Sequence, residues 1–257
     1  EFYERNKQHQ KHLPSATGYC VLTYKNKFLA WGKQCNNLNV KSVGNFVCRK
    51  NKVKTKSNGG GCLLTTTVPR FSYHLRTIPI AAQWLVYFDE QVRFVDALKD
   101  EVRESFTVKF GGPDYGWHQE KRWRSVFHNL HLESGARDIS QLAKSSRIFV
   151  SSYNGTSLIE TLVSNVPTII FWNPKLWQVN KETAKYLQIL SSAKIFHETP
   201  ESAADHLCNV WSDVGDWWSS ISVQFARDSF LSNFADIDGN AIKKIKDALY
   251  PNHEKIL

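Results

Sequence analysis

Short apolar runs rich in β-branched and aromatic residues recur along the chain: YCVLTY (19–24), VKSVGN (40–45), CLLTTTV (62–68), FTVKF (106–110), RIFVSS (147–152), PTIIFW (167–172) and AKIF (193–196). Runs of this length bounded by Gly, Pro, Asn or Ser predict buried strands. Between them lie segments of helical period. The longest, residues 78–102, carries Ile80, Trp84, Leu85, Phe88, Val92, Val95 and Leu98 at spacings that predict one apolar face of a long helix. DISQLAKSS, SLIETLVSN, ETAKYLQILSS and PESAADHLCNVWSDV predict four shorter helices, and WWSSISVQFARDSFLSNFAD and NAIKKIKDALY predict helices covering the sheet. Alternation of strand and helix predicts an α/β fold, a Rossmann-like doubly wound parallel sheet whose ligands bind beyond the carboxyl ends of the strands.

One stretch adds chemistry to that pattern. In RIFVSSYNGTSLIETLVSNVPTIIFWNP (147–174), a strand, a polar turn, a helix and a second strand follow one another closely. The strand delivers Ser151 and Ser152 to the carboxyl edge, and a helix starting near Gly155 or Thr156 aims its free N–H groups at the same crevice, which is an anion site by geometry alone. Ser151, Ser152, Asn154, Thr156 and Ser157 offer short donors to phosphate oxygens, and Gly155 permits close backbone approach. Glu160, three residues beyond Ser157, is placed to accept from ribose hydroxyls. It equally fits a capping box with Ser157, in which it only satisfies the helix start. Trp172 and Asn173, at the next strand's end, are also placed for a ligand. No Walker motif and no GxGxxG is present, which argues against P-loop and dinucleotide redox chemistry.

Composition changes the picture in two ways. The chain has 257 residues, 42% of them hydrophobic, enough for a substantial core. No run of about 18 apolar residues and no secretory layout occurs, so a soluble, cytoplasmic protein is expected. The five cysteines form no CxxC pair and predict neither a disulfide framework nor a zinc site. Methionine is absent and the first residue is Glu, so the sequence is expected to be a piece of a longer product. The net charge of +9 is uneven: residues 1–58 hold 12 Lys/Arg against 2 Asp/Glu, and the remainder is close to neutral. This divides the chain into a basic segment, 1–58, which includes the first strands, and a sheet domain, 59–257. A basic segment suits an anionic partner such as a nucleotide phosphate, an acidic glycan, a nucleic acid or an anionic membrane surface, or is simply a solvated face. Its sparse aromatics do not favour nucleic acid.

Three blocks carry a family resemblance: LLTTTVPRFSYHLRTIPIAAQWLVYFDEQVRFVDAL, VKFGGPDYGWHQEKRWRS and SSYNGTSLIETLVSNVPTIIFWNP. Together they resemble a family of bacterial transferases associated with surface-carbohydrate biosynthesis, similar to GT-B glycosyltransferases, over about Leu13 to Ala235. The resemblance implies the C-terminal Rossmann-like half of such an enzyme, with a nucleotide-sugar as donor substrate and a glycan or glycolipid as acceptor. It also implies that an N-terminal, acceptor-side half is missing. In the first block, Arg70 and Arg76 are the cations expected on the donor phosphates, since guanidinium holds phosphate in a fork without a metal, and Tyr73 and His74 could face the donor. In the second block, Asp114 and His118 emerge near the sheet edge. Asp114 is a general base or a turn and cap aspartate, and His118 a catalyst or a surface histidine. Some CMP-donor transferases carry His-Pro after this strand, whereas here Gly112 precedes Pro113. No cofactor and no bound metal are expected. Two other functions stay open: a nucleotide-sugar epimerase of the same fold, and a noncatalytic domain binding anions or nucleic acid.

Overall fold

The computed structural model describes residues 28–32, 40–44, 59–70, 79, 81–135, 137–235 and 240–250. Two compact units result, residues 1–50 with 228–257, and residues 51–227. In the first unit, β1 (Phe28–Ala30) and β2 (Val40–Ser42) form a parallel pair. The expected strand at 19–24 lies outside the described residues.

The second unit holds the sheet. Six strands, β3 (Gly61–Thr66), β4 (Thr107–Gly111), β5 (His131–Glu133), β6 (Ile148–Ser151), β7 (Thr168–Phe171) and β8 (Phe196–His197), lie in the order β5-β4-β3-β6-β7-β8. All five pairings are parallel. The chain builds outward from β3 to β5, then returns to β6 on the other side of β3 and builds outward again to β8. That order is the doubly wound one, and its reversal lies between β3 and β6, where ligands of such sheets bind.

Ten helices are described: α1 (Gln83–Asp96), α2 (Asp100–Arg103), α3 (Gln119–Val126), α4 (Ile139–Ser145), α5 (Thr156–Val163), α6 (Lys181–Ser192), α7 (Pro200–Val210), α8 (Val214–Ser219), α9 (Ile221–Phe234) and α10 (Ala241–Leu249). On one face of the sheet, Phe94 and Val95 of α1, Val102 of α2, Trp123 of α3, and Ala203, Ala204 and Leu207 of α7 close over Leu63, Val108, Phe110, Ile148, Val150, Ile169 and Phe171. On the other, Leu142 and Ala143 of α4 meet Cys62, Leu64 and Phe149. Strands covered on both faces explain their unbroken apolar runs.

Two expectations change. The long helix over 78–102 ends at Asp96, and a separate turn of helix follows from Asp100. Its buried residues are Trp84, Tyr87, Glu90, Gln91, Phe94 and Val95, while Leu85 is 40% exposed. The apolar pattern misplaced the face because two polar side chains, Glu90 and Gln91, occupy buried positions. Likewise 217–236 is two helices, α8 and α9, separated at Ser220.

Candidate functional site

The carboxyl edge at the reversal is built from four strand exits. The first follows β3, and three side chains hold it. Trp84 Nε1 donates to Thr66 O (3.2 Å), Thr66 N donates to the Tyr87 hydroxyl (2.9 Å), and Trp117 Nε1 donates to Val68 O (2.8 Å). The two indoles stack on each other with centroids 4.5 Å apart. Tyr87 reaches across to the neighbouring exit, its hydroxyl 2.8 Å from Ser152 Oγ. Because Ser152 Oγ donates its single proton to Leu64 O (2.8 Å), the tyrosine must be the donor of that pair. The result is a relay: Thr66 N–H to Tyr87, Tyr87 to Ser152, Ser152 to Leu64. Burial pushes the Tyr87 phenol well above its ordinary range, so it stays protonated as the relay requires.

After β6, Ser151 and Ser152 are both buried, and the Ser151 hydroxyl donates to Tyr153 O (3.1 Å). Both strand-end hydroxyls are therefore engaged within the protein. Beyond them α5 begins at Gly155, its N-cap, with no side-chain cap. By contrast Asp138, Asn180 and Thr199 cap α4, α6 and α7 through their side chains. The N–H groups at the start of α5 are thus without a side-chain cap. Asn154 and Thr156 are exposed beside them, and the Ser157 hydroxyl donates to the Tyr153 hydroxyl (3.2 Å). The space beside Gly155 is filled by the Tyr153 ring, which stands where a Cβ would go.

The capping box does not form, because Ser157 lies inside the helix rather than at its N-cap. Glu160 is left half-buried, with no hydrogen-bond partner for its carboxylate among the described residues. Burial, and then the neighbouring Asp138 charge, raise its pKa above the usual carboxylate range.

The third exit, after β4, turns sharply. Gly112 (φ 108°), Tyr115 (φ 50°), Gly116 (φ 79°) and His118 (φ 55°) all lie in the left-handed region. Asp114 takes the cap role of its two readings: Oδ1 accepts from Gln119 N and Oδ2 from His118 N, each at 2.8 Å, at the start of α3. Although its modest burial opposes this, those backbone donors hold its carboxyl below the ordinary range. His118 itself is exposed. Arg70, also exposed, places its guanidinium 5.7 Å from the centroid of the Trp117 ring, so the β3 and β4 exits meet there. Tyr73, His74 and Arg76 lie outside the described residues.

The fourth exit, after β7, carries Trp172 and Asn173. Trp172 is only 2% exposed, with its ring 4.8 Å from that of Phe196. Asn173 donates to Glu90 Oε1 (2.8 Å), which accounts for the buried carboxylate of α1; burial raises the Glu90 pKa and the Asn173 bond opposes the rise. A second tryptophan, Trp177, sits against Tyr87 (5.9 Å) and Tyr153 (6.1 Å). Tyr87, Glu90, Trp117 and Trp177 escaped sequence reading. Their signal was faint: aromatic or polar residues at helix and turn positions, with partners far along the chain.

The sequence profile of the LIC12162 family transferase matches residues 8–249. No curated protein matches the chain. Among solved structures, it is similar to WaaG, a glycosyltransferase involved in lipopolysaccharide biosynthesis (11% identity, TM-score 0.48, covering 87% of this chain and 62% of that one). It is also similar to the wall teichoic acid polymerase TagF (14%, 0.41, 77% and 42%). A third is a protein provisionally assigned as a UDP-N-acetylglucosamine 2-epimerase from Listeria monocytogenes (12%, 0.44, 78% and 46%). The chain spans less than two thirds of the length of each. With the profile covering nearly the whole sequence, the chain belongs to the LIC12162 family of transferases.

Proposed function

We propose that this chain is the donor-binding part of a glycosyltransferase, holding a nucleotide-sugar at the reversal between β3 and β6 and passing its sugar to a surface glycan or glycolipid acceptor. The observation that carries the reading is the uncapped start of α5 at that crevice, with the unpartnered Glu160 on the same helix. In this reading the α5 N–H groups, Asn154 and Thr156 hold the diphosphate, and Glu160 accepts from the ribose hydroxyls. Arg70 completes the phosphate side, with Arg76 and Tyr73 as the further residues that the family resemblance implies there. As the bond from the anomeric carbon to the diphosphate breaks, the departing charge is met by backbone dipoles and a guanidinium, so transfer needs no divalent metal. Both Asp114 oxygens are already bonded, which leaves His118 as the candidate on this edge to take the acceptor's proton. Ser151 and Ser152 shape the cradle through their internal bonds rather than by touching the ligand.

Among the described residues no helix is long and apolar enough to cross a membrane. A glycolipid acceptor would bring the protein to the cytoplasmic face of an anionic membrane, and the basic first 58 residues suit that contact.

The test is a thermal-shift screen against CMP, CDP, UDP, GDP, TDP and ADP, with and without EDTA, on the parent, Arg70→Ala and Glu160→Ala. A nucleotide at about 100 times its Kd stabilises the fold by about 2.7 kcal/mol. One nucleotide should act, survive EDTA and lose its effect in both variants; stabilisation that persists in both would refute the assignment. With the matching nucleotide-sugar, incorporation into an acceptor marks transfer, and release of free epimerised sugar marks the epimerase.

A further inference from the structure

Beside the crevice, between the β7 and β8 exits and α6, lies a cleft of about 400 Å³. Its floor is apolar, from Trp172, Leu187 and Phe196, and its rim carries Gln178, Gln188, Ser191 and Glu198. Floor residues are buried and the four rim residues exposed. Trp177 forms part of the wall, and its indole N–H, itself buried, has no acceptor among the described residues. A buried donor without a partner is costly.

The lining selects a ligand class by charge. Among the described residues no lysine, arginine or histidine lines the cleft, and the one ionisable group there is the Glu198 carboxylate. A phosphate or another carboxylate would therefore meet repulsion and no counter-charge. Two amides, one hydroxyl and one carboxylate are instead the partners that alcohol groups need, since each can bond a hydroxyl as donor, acceptor or both. An apolar floor under such a rim matches a ring with a C–H face and hydroxyl edges. The geometry points to a subsite for a neutral sugar ring, bounded by Trp177 and rimmed by Gln178, Gln188, Ser191 and Glu198, that excludes anionic sugars.

Trp177 also touches Tyr153, two residues before the start of α5. The cleft thus adjoins the proposed diphosphate site. The sugar belongs either to the donor, which rests on the nucleotide-sugar reading above, or to an acceptor glycan, which does not.

The experiment follows the Trp177 indole resonance in ¹H–¹⁵N spectra of the chain labelled at tryptophan, assigned by its loss in Trp177→Phe. The probes are methyl glucoside, N-acetylglucosamine and lactose as neutral sugars, glucuronate and glucose 1-phosphate as anionic ones, and uridine, UDP and UDP-glucose. Neutral sugars should move the resonance, anionic ones should not, and the exposed-site variants Glu198→Gln and Gln188→Ala should weaken the neutral sugars by roughly three- to tenfold. If no neutral sugar moves it, if anionic sugars move it equally, or if uridine alone does, the subsite is overturned. A response to free sugars that is indifferent to UDP assigns the acceptor; a response to UDP-glucose at far lower concentration than to free sugar assigns the donor. The free-sugar arm needs no nucleotide, so failure of the nucleotide site and failure of the sugar cleft give different spectra.

Discussion

Replacing Tyr87 by Phe deletes one oxygen and leaves the ring, whose packing is otherwise unchanged at 1% exposure. Two hydrogen bonds go with it, from Thr66 N and to Ser152 Oγ. The Thr66 N–H would be stranded beside a phenyl edge, at about 1–3 kcal/mol for an unmet partly buried donor, and the lost Tyr87–Ser152 bond adds about 1 kcal/mol. The expected destabilisation is therefore about 2–4 kcal/mol, read as a lowered midpoint at constant slope in urea unfolding followed by tryptophan fluorescence. A double-mutant cycle with Ser152→Ala should return a coupling of about 1 kcal/mol or more, because the two side chains share one relay. Nucleotide affinity should fall as well, since the relay ties together the two strand exits that bound the crevice. A loss below about 0.5 kcal/mol with no coupling would show that the relay is not formed, and the account of a pre-set crevice would go with it.

Other predictions address single groups. Asp114→Ala should cost about 1 kcal/mol through the lost α3 cap, whereas Asp114→Asn should keep most of that stability and most of the transfer rate; loss of rate in Asp114→Asn with stability intact would restore its role as base. Glu160 has a raised pKa, so nucleotide affinity should fall as pH drops through that raised value, and Glu160→Gln should be weak and flat with pH when titrated by calorimetry. Cys62, whose thiol burial pushes up to about 12, should resist alkylation in the folded protein and react only after denaturation, as counted by mass spectrometry.

His206 supplies a prediction about acid stability. Burial, with His197 and Lys194 adding to it, lowers its pKa from 6.5 to about 4. The unfolded chain therefore binds more protons than the folded one between about pH 6.5 and 4, so stability is full above that window and falls as pH drops through it. The whole displacement amounts to at most about 3.4 kcal/mol, and screening around this part-buried ring reduces it to roughly 1–2 kcal/mol. Comparing His206→Phe with the parent at pH 7 and pH 4.5 isolates the effect: the gap between them should move in favour of the variant at the lower pH, and an unchanged gap would show that the ring titrates normally.

The sheet was legible because its strands are covered on both faces, so each interior strand announces itself as an unbroken apolar run. β5 was not, since its three residues include an exposed histidine and a half-buried glutamate at the sheet's edge. The α1 face was misread for a related reason: Glu90 is buried only because Asn173, 83 residues away, bonds it. Periodicity weighs residues one at a time and cannot see a partner that the fold supplies. For the same reason a strand-end position pointed to Trp172, while nothing in the sequence pointed to Trp177 in the loop beyond it.

The same limit explains how the cradle divides its labour. Ser151, the last residue of β6, and Ser152, just beyond it, find acceptors in Tyr153 O and Leu64 O. On the proposed reading, a ligand above the edge meets the α5 backbone amides rather than those hydroxyls. Backbone amides bind any phosphate alike and cannot tell one nucleotide or one sugar from another. On the proposed reading, discrimination comes from side chains on the surrounding exits: Arg70 after β3, the left-handed turn after β4, Glu160 on α5, and the Trp177 wall after β7. Substitutions on those exits should therefore change which donor is accepted, while substitutions at Ser151 and Ser152 should change stability first and affect all donors by the same factor; a serine variant that switches donor preference would contradict this division.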